Sequence, residues 1–291
     1  MIPASCRDLI AALCDVIATC DPVALRRDYG DVASCTARES LACGSLSLPG
    51  SSWTEQDFAQ CKQQVMTSGC ALDFERGACA GKPGTLPDGT GCEQSLQCAG
   101  GRCDIKVISN ADGGFNVPSC GVCLTPDAGT GASCGTGPAC PASERCIYDN
   151  GAYRCAVPQP EGAPCTGGAG CAEGLVCKGG AADGGTMFCA RRSMAGAPCT
   201  FSSECDPQAG LRCVSGFCGA PTFVPLGAAC DGSGRICELG ARCHYASGAT
   251  AGICETPAGD GMPCGGGGPS CSDPASCRDG ICRLPGEANC H

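Results

Sequence analysis

The chain has few aromatic residues and almost no histidine. Its 291 residues include one Trp, four Tyr, seven Phe and two His. So few aromatic side chains do not supply the large apolar core that an enzyme of this length normally buries. Acid–base catalysis most often uses histidine, and here His244 directly follows a cysteine and His291 is the last residue. We therefore predict a protein that is not an enzyme.

Clusters of basic residues and long apolar segments are also missing. Acidic residues outnumber basic ones 29 to 19, and basic residues occur at most in pairs such as Arg26–Arg27. Because nucleic acids and anionic lipids both require a basic face, we predict no nucleic-acid partner. No apolar segment approaches the ~20 residues of a membrane helix, so we predict no transmembrane segment.

The first six residues lack the basic start and the apolar stretch of a signal peptide. We therefore interpret the chain as a mature protein from which a signal peptide was removed. Ala4-Ser5-Cys6 resembles the end of a bacterial lipobox without its leucine. A lipid anchor at Cys6 is accordingly less favoured than a disulfide at that cysteine.

Cysteine, by contrast, is abundant. The chain has 34 cysteines in 291 residues, about 12%, together with 46 Gly and 21 Pro. A cysteine content above roughly 8–10% indicates a disulfide scaffold, and such scaffolds form in oxidising compartments. We predict a small disulfide-rich fold in a secreted or cell-surface protein.

Residues 1–80 are predicted to form a disulfide-bonded α-helical domain. Five side chains recur at the spacing that places them on one helix face. They are Cys6, Ile10, Leu13, Cys14 and Ile17. A second, short helix is predicted over 35–43. The region holds eight cysteines, and because this number is even we expect four internal disulfides, whose pairing stays open.

A third helix is predicted to begin after Thr54. The hydroxyl of Thr54 can cap the helix, and Trp53 and Phe58 occupy the two positions of a hydrophobic staple. Gly69 is predicted to end the helix. The side chains predicted to face inward are Phe58, Cys61, Val65 and Met66.

Beyond a turn-rich linker at 81–88, one unit is repeated to the end of the chain. Each unit begins with Gly-x-x-Cys, and successive first cysteines are 31–42 residues apart. Similarity at such a period indicates an array of small modules, each contacting mainly its neighbours. We therefore predict an elongated array. The six predicted modules span 89–130, 131–161, 162–195, 196–226, 227–260 and 261–291, the last with the C-terminal tail.

Each module has four cysteines, with an Asn-Gly, Asp-Gly or Ser-Gly pair between the third and the fourth. These pairs favour tight turns, so we predict a loop followed by a short β-hairpin. A unit of this size is too small to depend on an apolar core, and disulfides substitute for one. Four cysteines permit three pairings. We favour first with third and second with fourth, because pairing neighbours would leave two unconnected loops.

The predicted pairs in modules 2 to 6 are Cys134–Cys146, Cys140–Cys155, Cys165–Cys177, Cys171–Cys189, Cys199–Cys213, Cys205–Cys218, Cys230–Cys243, Cys237–Cys254, Cys264–Cys277 and Cys271–Cys282. Module 1 holds Cys92, Cys98, Cys103 and Cys120. Cys123 and Cys290 are then left unassigned. They can pair with each other, Cys123 can replace Cys120 in module 1, or one of them can remain free for an intermolecular bond.

The module pattern is clearest where Gly162-Ala163-Pro164-Cys165 precedes Cys171-Ala172-Glu173-Gly174-Leu175-Val176-Cys177. This pattern resembles the Dickkopf N-terminal-type cysteine-rich repeat and the similar EB module of worms. Arrays of such repeats behind a helical domain are similar to secreted or surface cysteine-rich proteins of myxobacteria. The resemblance implies an extracellular location and implies no activity.

The favoured function is a non-enzymatic structural or interaction protein for adhesion, surface-layer or matrix assembly, or protein binding. Its partner would be an extracellular protein, a surface polymer or a second copy of the chain. Rigid loops lower the entropic cost of binding, so a peptidase inhibitor using 166–170 or 201–204 is the alternative. Structural zinc sites use paired Cys-x₂₋₄-Cys knuckles, and Cys120 and Cys123 form the only Cys-x₂-Cys in the chain. We therefore predict no metal and no cofactor, with a metal-binding thiolate protein as a less favoured alternative.

Overall fold

A computed structural model of the chain describes residues 3–46, 48–72, 77–106, 108–109, 115–125, 140, 144–149, 152–165, 170–179, 187–232, 234–245, 249–265, 270–287 and 290. Together these residues form a small disulfide-rich fold. An α-helical N-terminal region is followed by repeated short antiparallel strand pairs.

The N-terminal region (residues 1–80) contains the predicted helices and two more. The α-helices are α1 (Ala4–Cys20), α2 (Pro22–Asp28), α3 (Val32–Glu39), α4 (Cys43–Leu46) and α5 (Glu55–Ser68). Short 3-10 turns cover Ser40–Ala42, Gly69–Ala71 and Gly77–Cys79. Pro22 starts α2, since proline is tolerated where no backbone N–H donor is needed.

Two details of the predicted helices are wrong. The helix expected over 35–43 starts earlier, at Val32, because the side chain of Asp31 caps it by accepting from the Ser34 N–H at 2.7 Å. Met66 was expected to face inward but is 62% exposed. Its neighbour Val65 is fully buried, and successive residues point about 100° apart on a helix of 3.6 residues per turn.

The helical region has its own apolar core between α1 and α5. Its buried members are Cys6, Leu9, Ala12, Cys43, Phe58, Cys61, Val65 and Cys79. Trp53 covers one side, with its ring centroid 5.2 Å from that of Phe58. The predicted cap is confirmed, because Thr54 and Asp57 form a reciprocal capping box. The eight cysteines pair internally, as Cys6–Cys43, Cys14–Cys35, Cys20–Cys70 and Cys61–Cys79.

The repeat region consists of short strands. They are β1 (Gly91–Cys92), β2 (Arg102–Asp104), β3 (Ile108–Ser109), β4 (Phe115–Asn116), β5 (Gly121–Leu124), β6 (Arg145–Asp149), β7 (Ala152–Ala156), β8 (Pro164–Cys165), β9 (Leu175–Lys178), β10 (Met187–Arg191), β11 (Arg212–Val214), β12 (Phe217–Gly219), β13 (Thr222–Val224), β14 (Ala229–Cys230), β15 (Arg235–Cys237), β16 (Arg242–His244), β17 (Gly252–Glu255), β18 (Ser276–Arg278) and β19 (Ile281–Arg283).

In modules 2 to 6 the third and the fourth cysteine lie opposite each other on paired antiparallel strands. In module 1 the residue opposite the third cysteine, Cys103, is Cys123. The three-stranded sheets have the orders β1-β5-β2, β8-β10-β9 and β14-β17-β16. The two-stranded antiparallel pairs are β3-β4, β6-β7, β11-β12 and β18-β19. In module 4, for example, Cys213 lies opposite Cys218. The predicted repeated hairpin modules are therefore present.

Two of the predicted hairpin turns lie within described residues. Ser215-Gly216 and Asp279-Gly280 both have positive φ at each position, 51° and 86° in the first and 50° and 75° in the second. Two successive positive φ angles define the type I′ turn expected from such pairs. The turns expected at 112–114, 150–151, 183–185 and 247–248 lie outside the described residues.

A short parallel β-bridge links the residues before modules 1, 3, 4, 5 and 6 to the module that follows. The residue six positions before the first cysteine pairs with the second cysteine, as Leu86 does with Cys98 and Ala258 with Cys271. In module 5 this contact extends to the parallel pair β13 and β15. Each hydrogen-bonded unit thus begins three residues before the glycine with which the predicted module starts. The predicted linker at 81–88 therefore supplies part of module 1.

The array is not elongated, and that prediction is wrong. Modules 4 and 5 contact the helical region through the ion pairs Arg212–Asp21 and Arg242–Asp28. Arg38 of the helical region forms an ion pair with Asp260 and donates to the Ser272 carbonyl of module 6 at 3.0 Å. Module 1 contacts the same region, where the buried Gln97 side chain donates to the Pro49 carbonyl at 2.9 Å. Modules 1 and 6 are also joined by a disulfide. Modules 1, 4, 5 and 6 therefore lie against the helical region or against one another, because side chains outside the repeated cysteine pattern connect units distant in sequence.

Candidate functional site

The disulfides of the modules follow a crossed arrangement. In modules 3 to 6 the first cysteine is bonded to the third and the second to the fourth. These bonds are Cys165–Cys177, Cys171–Cys189, Cys199–Cys213, Cys205–Cys218, Cys230–Cys243, Cys237–Cys254, Cys264–Cys277 and Cys271–Cys282. In module 2, Cys140 is bonded to Cys155, and Cys134 lies outside the described residues.

Module 1 has the same arrangement with one substitution. Cys92 is bonded to Cys103, and Cys98 to Cys123 instead of Cys120. Cys120 is bonded to Cys290, 170 residues away. Of the alternatives left open, replacement of Cys120 by Cys123 is present, and a bond between Cys123 and Cys290 is wrong. Cys6 is bonded to Cys43, which leaves it no thiol for a lipid anchor.

Backbone hydrogen bonds explain why Cys123 takes the fourth position. In modules 3 to 6 the N–H of the first glycine donates to the carbonyl of the fourth cysteine, as Gly196 does to Cys218 at 2.8 Å. In module 1, Gly89 donates in the same way to Cys123 at 2.9 Å. These glycines have φ near +80°, a conformation open mainly to glycine.

A sequence signal for this assignment was missed. The fourth cysteine is followed by x-x-Pro in modules 2, 4, 5 and 6, for example in Cys254-Glu255-Thr256-Pro257. Cys123 has the same sequence after it, up to Pro126, and Cys120 does not. The spacing from the third cysteine concealed this match, because the hairpin of module 1 is the longest.

The bond between Cys120 and Cys290, called here the closing disulfide, lies in an interface between modules 1 and 6. Ser119 donates its hydroxyl to Asp279 at 2.6 Å, and Arg278 donates to the Pro118 carbonyl at 3.1 Å. A methyl group at Gly91 would overlap the Cys290 carbonyl, so the tail fits only beside a glycine. The two modules enclose a cavity of about 170 Å³ at this interface.

Module 5 is held against helix α2. The backbone N–H of Gly240 donates to the Arg27 carbonyl at 2.8 Å, and Leu239 donates to Arg26 at 3.2 Å. The guanidinium of Arg26 lies 4.1 Å from the centre of the Phe223 ring and 2.9 Å from Glu238. This combination of carbonyl, aromatic and charged contacts fixes the module on the end of the helix.

A charged cluster links α2 to modules 5 and 6. Asp28 accepts hydrogen bonds from both Arg27 and Arg242, and Arg242 also contacts Asp273. Burial favours the neutral form of Asp28, but the hydrogen bonds and charges of the two arginines outweigh it, so the pKa of Asp28 is lowered. The carboxylate of Asp28 stays ionised. Arg242 of module 5 thus connects Asp28 of the helical region with Asp273 of module 6.

In a second part of the cluster, burial favours the neutral forms of Glu39 and Tyr29. Burial raises the pKa of Glu39, although the Tyr29 hydroxyl donates to it at 2.8 Å. Burial and this hydrogen bond raise the pKa of Tyr29. Nearby, the hydrogen bond from Arg38 lowers the pKa of Asp260. Tyr29 and Glu39 connect the ends of α2 and α3 within the helical region, whereas Arg38 and Asp260 connect that region to the repeat region.

The crossed disulfides bring sulfur atoms close together. In modules 1, 3, 4, 5 and 6, three Sγ atoms lie within 4.8 Å of one another. Each of these sulfurs is in a disulfide bond, however, so none is the thiolate that a metal ion requires. Of the two histidines, His244 lies on an exposed strand position, and His291 is outside the described residues.

Apolar side chains recur on the outer surface of the modules. The residue directly before the fourth cysteine is apolar and exposed in four modules. These residues are Val122, Phe188, Phe217 and Ile253, with exposed fractions of 43%, 44%, 57% and 51%. Because the following cysteine faces inward, strand alternation turns this residue outward. Four of the six modules thus present one apolar side chain of the hairpin to the surroundings.

A groove of about 430 Å³ lies along α1 and α5 in the helical region. It is lined by Asp8, Asp15, Val16, Lys62 and Met66 among others. Lys62 lies 3.6 Å from Asp8, so part of the groove charge is paired.

In the described part of the chain, no helix is both long and apolar enough to cross a membrane. A scan against protein-family models, a search of curated proteins and a search of solved structures each found no match.

Proposed function

We propose that this chain is a secreted or cell-surface protein without catalytic activity, a disulfide-locked scaffold that binds an extracellular protein, a surface polymer or a second copy. The observation that carries the proposal is the oxidised state of the cysteines, since none is free among those described. Disulfides at this density persist in oxidising compartments and are rare in the cytosol.

The exposed apolar side chains support a binding role. Phe188 and Phe217 lie on the hairpins of adjacent modules, each more than 40% exposed. Exposed apolar patches often mark interaction surfaces, and rigid disulfide-bonded hairpins lose little entropy on binding. Because modules 1 and 6 are joined, a compact binding body is favoured over an extended spacer.

The resemblance to Dickkopf N-terminal-type and EB-like repeats, and to the myxobacterial surface proteins that carry such arrays, remains part of this proposal. It is supported by the crossed disulfides in modules 1 and 3 to 6 and by the disulfide-bonded helical region ahead of the array.

A peptidase inhibitor is less well supported. Of its two candidate loops, 166–169 lie outside the described residues. The other contains the 3-10 turn Ser202–Glu204, in which Glu204 is 5% exposed and accepts from the Thr200 N–H. Only Phe201 and its neighbouring serines reach the surface, which leaves a short segment for a peptidase to bind.

The oxidised state is tested by the mass of the natively produced protein after alkylation. We expect no added label without prior reduction and 34 labels after it. Several labels without reduction, or loss of mass on chelation, would contradict the scaffold and favour a metal-binding protein.

Binding is tested by co-sedimentation with cell-surface polymer from the producing organism and by sedimentation equilibrium of the protein alone. We expect the double variant Phe188→Ser and Phe217→Ser to reduce binding or self-association severalfold. Met66→Ser, which removes an equally exposed side chain from the helical region, should leave both unchanged. A stoichiometric complex with a peptidase would instead support the inhibitor.

A further inference from the structure

The cavity between modules 1 and 6 is rich in hydrogen-bond donors. Its volume is about 170 Å³, and its lining includes Gln94 and Ser119 from module 1 and Ser276, Arg278 and Arg283 from module 6. Glu93 adds one carboxylate, which accepts from the Gly286 N–H at 2.6 Å. Two guanidinium groups and one carboxylate give the lining a formal charge of +1 in a chain of net charge −10.

Two of these donors have no partner. The Nε of Arg283 and the Nε2 of Gln94 are buried and make no hydrogen bond. Arg278 donates to Ser276 and to the Pro118 carbonyl, and within the described residues neither arginine forms an ion pair with a carboxylate. A buried donor without an acceptor is costly.

The hairpin geometry aims these side chains together. Ser276 lies opposite Arg283 in the pairing of β18 and β19, so both point to one face of the hairpin. Arg278 is two residues after Ser276 on the same strand, which places it on that face as well. The turn at Asp279-Gly280 is tight, and the inward cysteines of both strands are disulfide-bonded. The two guanidinium groups are therefore held on a rigid support.

We propose that this cavity binds one small oxyanion group, a sulfate, phosphate or carboxylate, between Arg278 and Arg283, with Gln94 as an additional donor. Arginine suits oxyanions because its planar fork can donate two parallel hydrogen bonds. The cavity is smaller than the ~300–1,000 Å³ of pockets for drug-sized ligands, so it fits a single anionic group. The site does not depend on the partner proposed above.

The site does depend on the interface between modules 1 and 6 that the closing disulfide holds together. Gln94 and Ser119 come from module 1, whereas both arginines come from module 6. Ser119 directly precedes Cys120 of the closing disulfide. Opening that bond by the double variant Cys120→Ser and Cys290→Ser should therefore separate the two halves of the site and abolish anion binding.

The experiment is calorimetric titration of the full chain with sodium sulfate, sodium phosphate and sodium acetate at ionic strength held constant with chloride. We expect one saturable site for at least one of them. Arg283→Gln and Arg278→Gln should each weaken binding at least about tenfold, the usual effect of losing a hydrogen bond to a charged group. Arg192→Gln, an exposed arginine of module 3, makes the same charge change and should leave the affinity unaltered.

If an arginine variant does not form all its disulfides, Gln94→Ala decides, because it removes one unpartnered donor without changing charge. It should weaken binding about threefold to tenfold. No binding of any of the three anions, or an equal loss in Arg192→Gln, would overturn the site. Tighter binding of a sulfated disaccharide than of free sulfate would place the oxyanion on a larger molecule, and equal affinity would indicate the free ion; both results retain the site.

Discussion

The helical region and a hairpin module are stabilised differently, although both are rich in disulfides. In the helical region the buried set includes Leu9, Phe58 and Val65 beside its cysteines. Among the described residues of module 3, the buried cluster consists of four cysteines, with only Leu175 and Met187 packed partly against it. The helical region therefore has an apolar core to which disulfides are added, whereas in a module the disulfides are the core.

The largest expected difference between a module and the helical region is the effect of removing one disulfide from each. Cys171–Cys189 and Cys61–Cys79 both have a sequence separation of 18, so the chain-entropy contribution, about 3 kcal/mol, is nearly equal. We expect Cys171→Ser with Cys189→Ser to abolish hydrogen-exchange protection throughout module 3. Cys61→Ser with Cys79→Ser should lower protection in α5 but retain its helix. Equal loss in both would contradict the distinction.

The closing disulfide offers a test of how the modules depend on one another. With Cys120→Ser and Cys290→Ser we expect each hairpin to persist, because its own two disulfides remain, while modules 1 and 6 separate. Small-angle scattering should show a larger radius of gyration, and exchange should increase near Ser119 and Asp279. Gly91→Ala should act in the same direction, whereas Gly219→Ala, where a methyl group meets nothing within 4 Å, should not. An unchanged radius would show that the hydrogen bonds between modules 1 and 6, such as that from Ser119 to Asp279, keep the two modules together without the disulfide.

The apolar core of the helical region predicts a smaller, local effect. Val65 is fully buried, and Val65→Ala should cost about 2 kcal/mol of unfolding free energy because it leaves a cavity. Met66→Ala should change stability by less than about 0.5 kcal/mol, since the side chain is 62% exposed. Thermal unfolding followed by helical circular dichroism measures both. A large effect at Met66 would mean that its surface is covered in solution.

The smallest expected effect is a pH dependence at the start of α5. Hydrogen bonds from Lys82 and Thr54 lower the pKa of the buried Asp57 to about 2, from a usual value of 3.8. A carboxyl group with a lowered folded pKa stabilises the fold above its unfolded pKa, and this stability is lost as pH falls from about 4 to about 2.

Asp57→Asn should remove this pH dependence and cost about 1 kcal/mol near neutral pH, because the variant loses the ion pair with Lys82 and the negative charge in the first turn of α5. Glu55→Gln, an exposed carboxyl in the same helical turn, should retain the dependence. The measurement is the midpoint of thermal unfolding between pH 4.5 and pH 2. A slope that persists in Asp57→Asn would assign the effect to another carboxyl.

Local sequence determined the parts of the fold that depend on neighbouring residues. The capping box at Thr54, the type I′ turns at Ser215-Gly216 and Asp279-Gly280, and the hairpin repeat all follow from side-chain chemistry and backbone conformation within a few residues. The crossed pairing was favoured for a similar reason, because a short module offers few ways to connect its loop to its hairpin.

Tertiary structure alone decided how the modules are arranged. The partner of Cys290 is 170 residues away, and Arg242 joins acidic groups of different modules and helices. Such contacts leave no periodic pattern in the sequence. A single arginine or serine at a module surface is the same residue whether or not it has a partner in another module. The closed arrangement, and with it the donor-rich cavity at Arg278 and Arg283, follows from which of these surfaces meet.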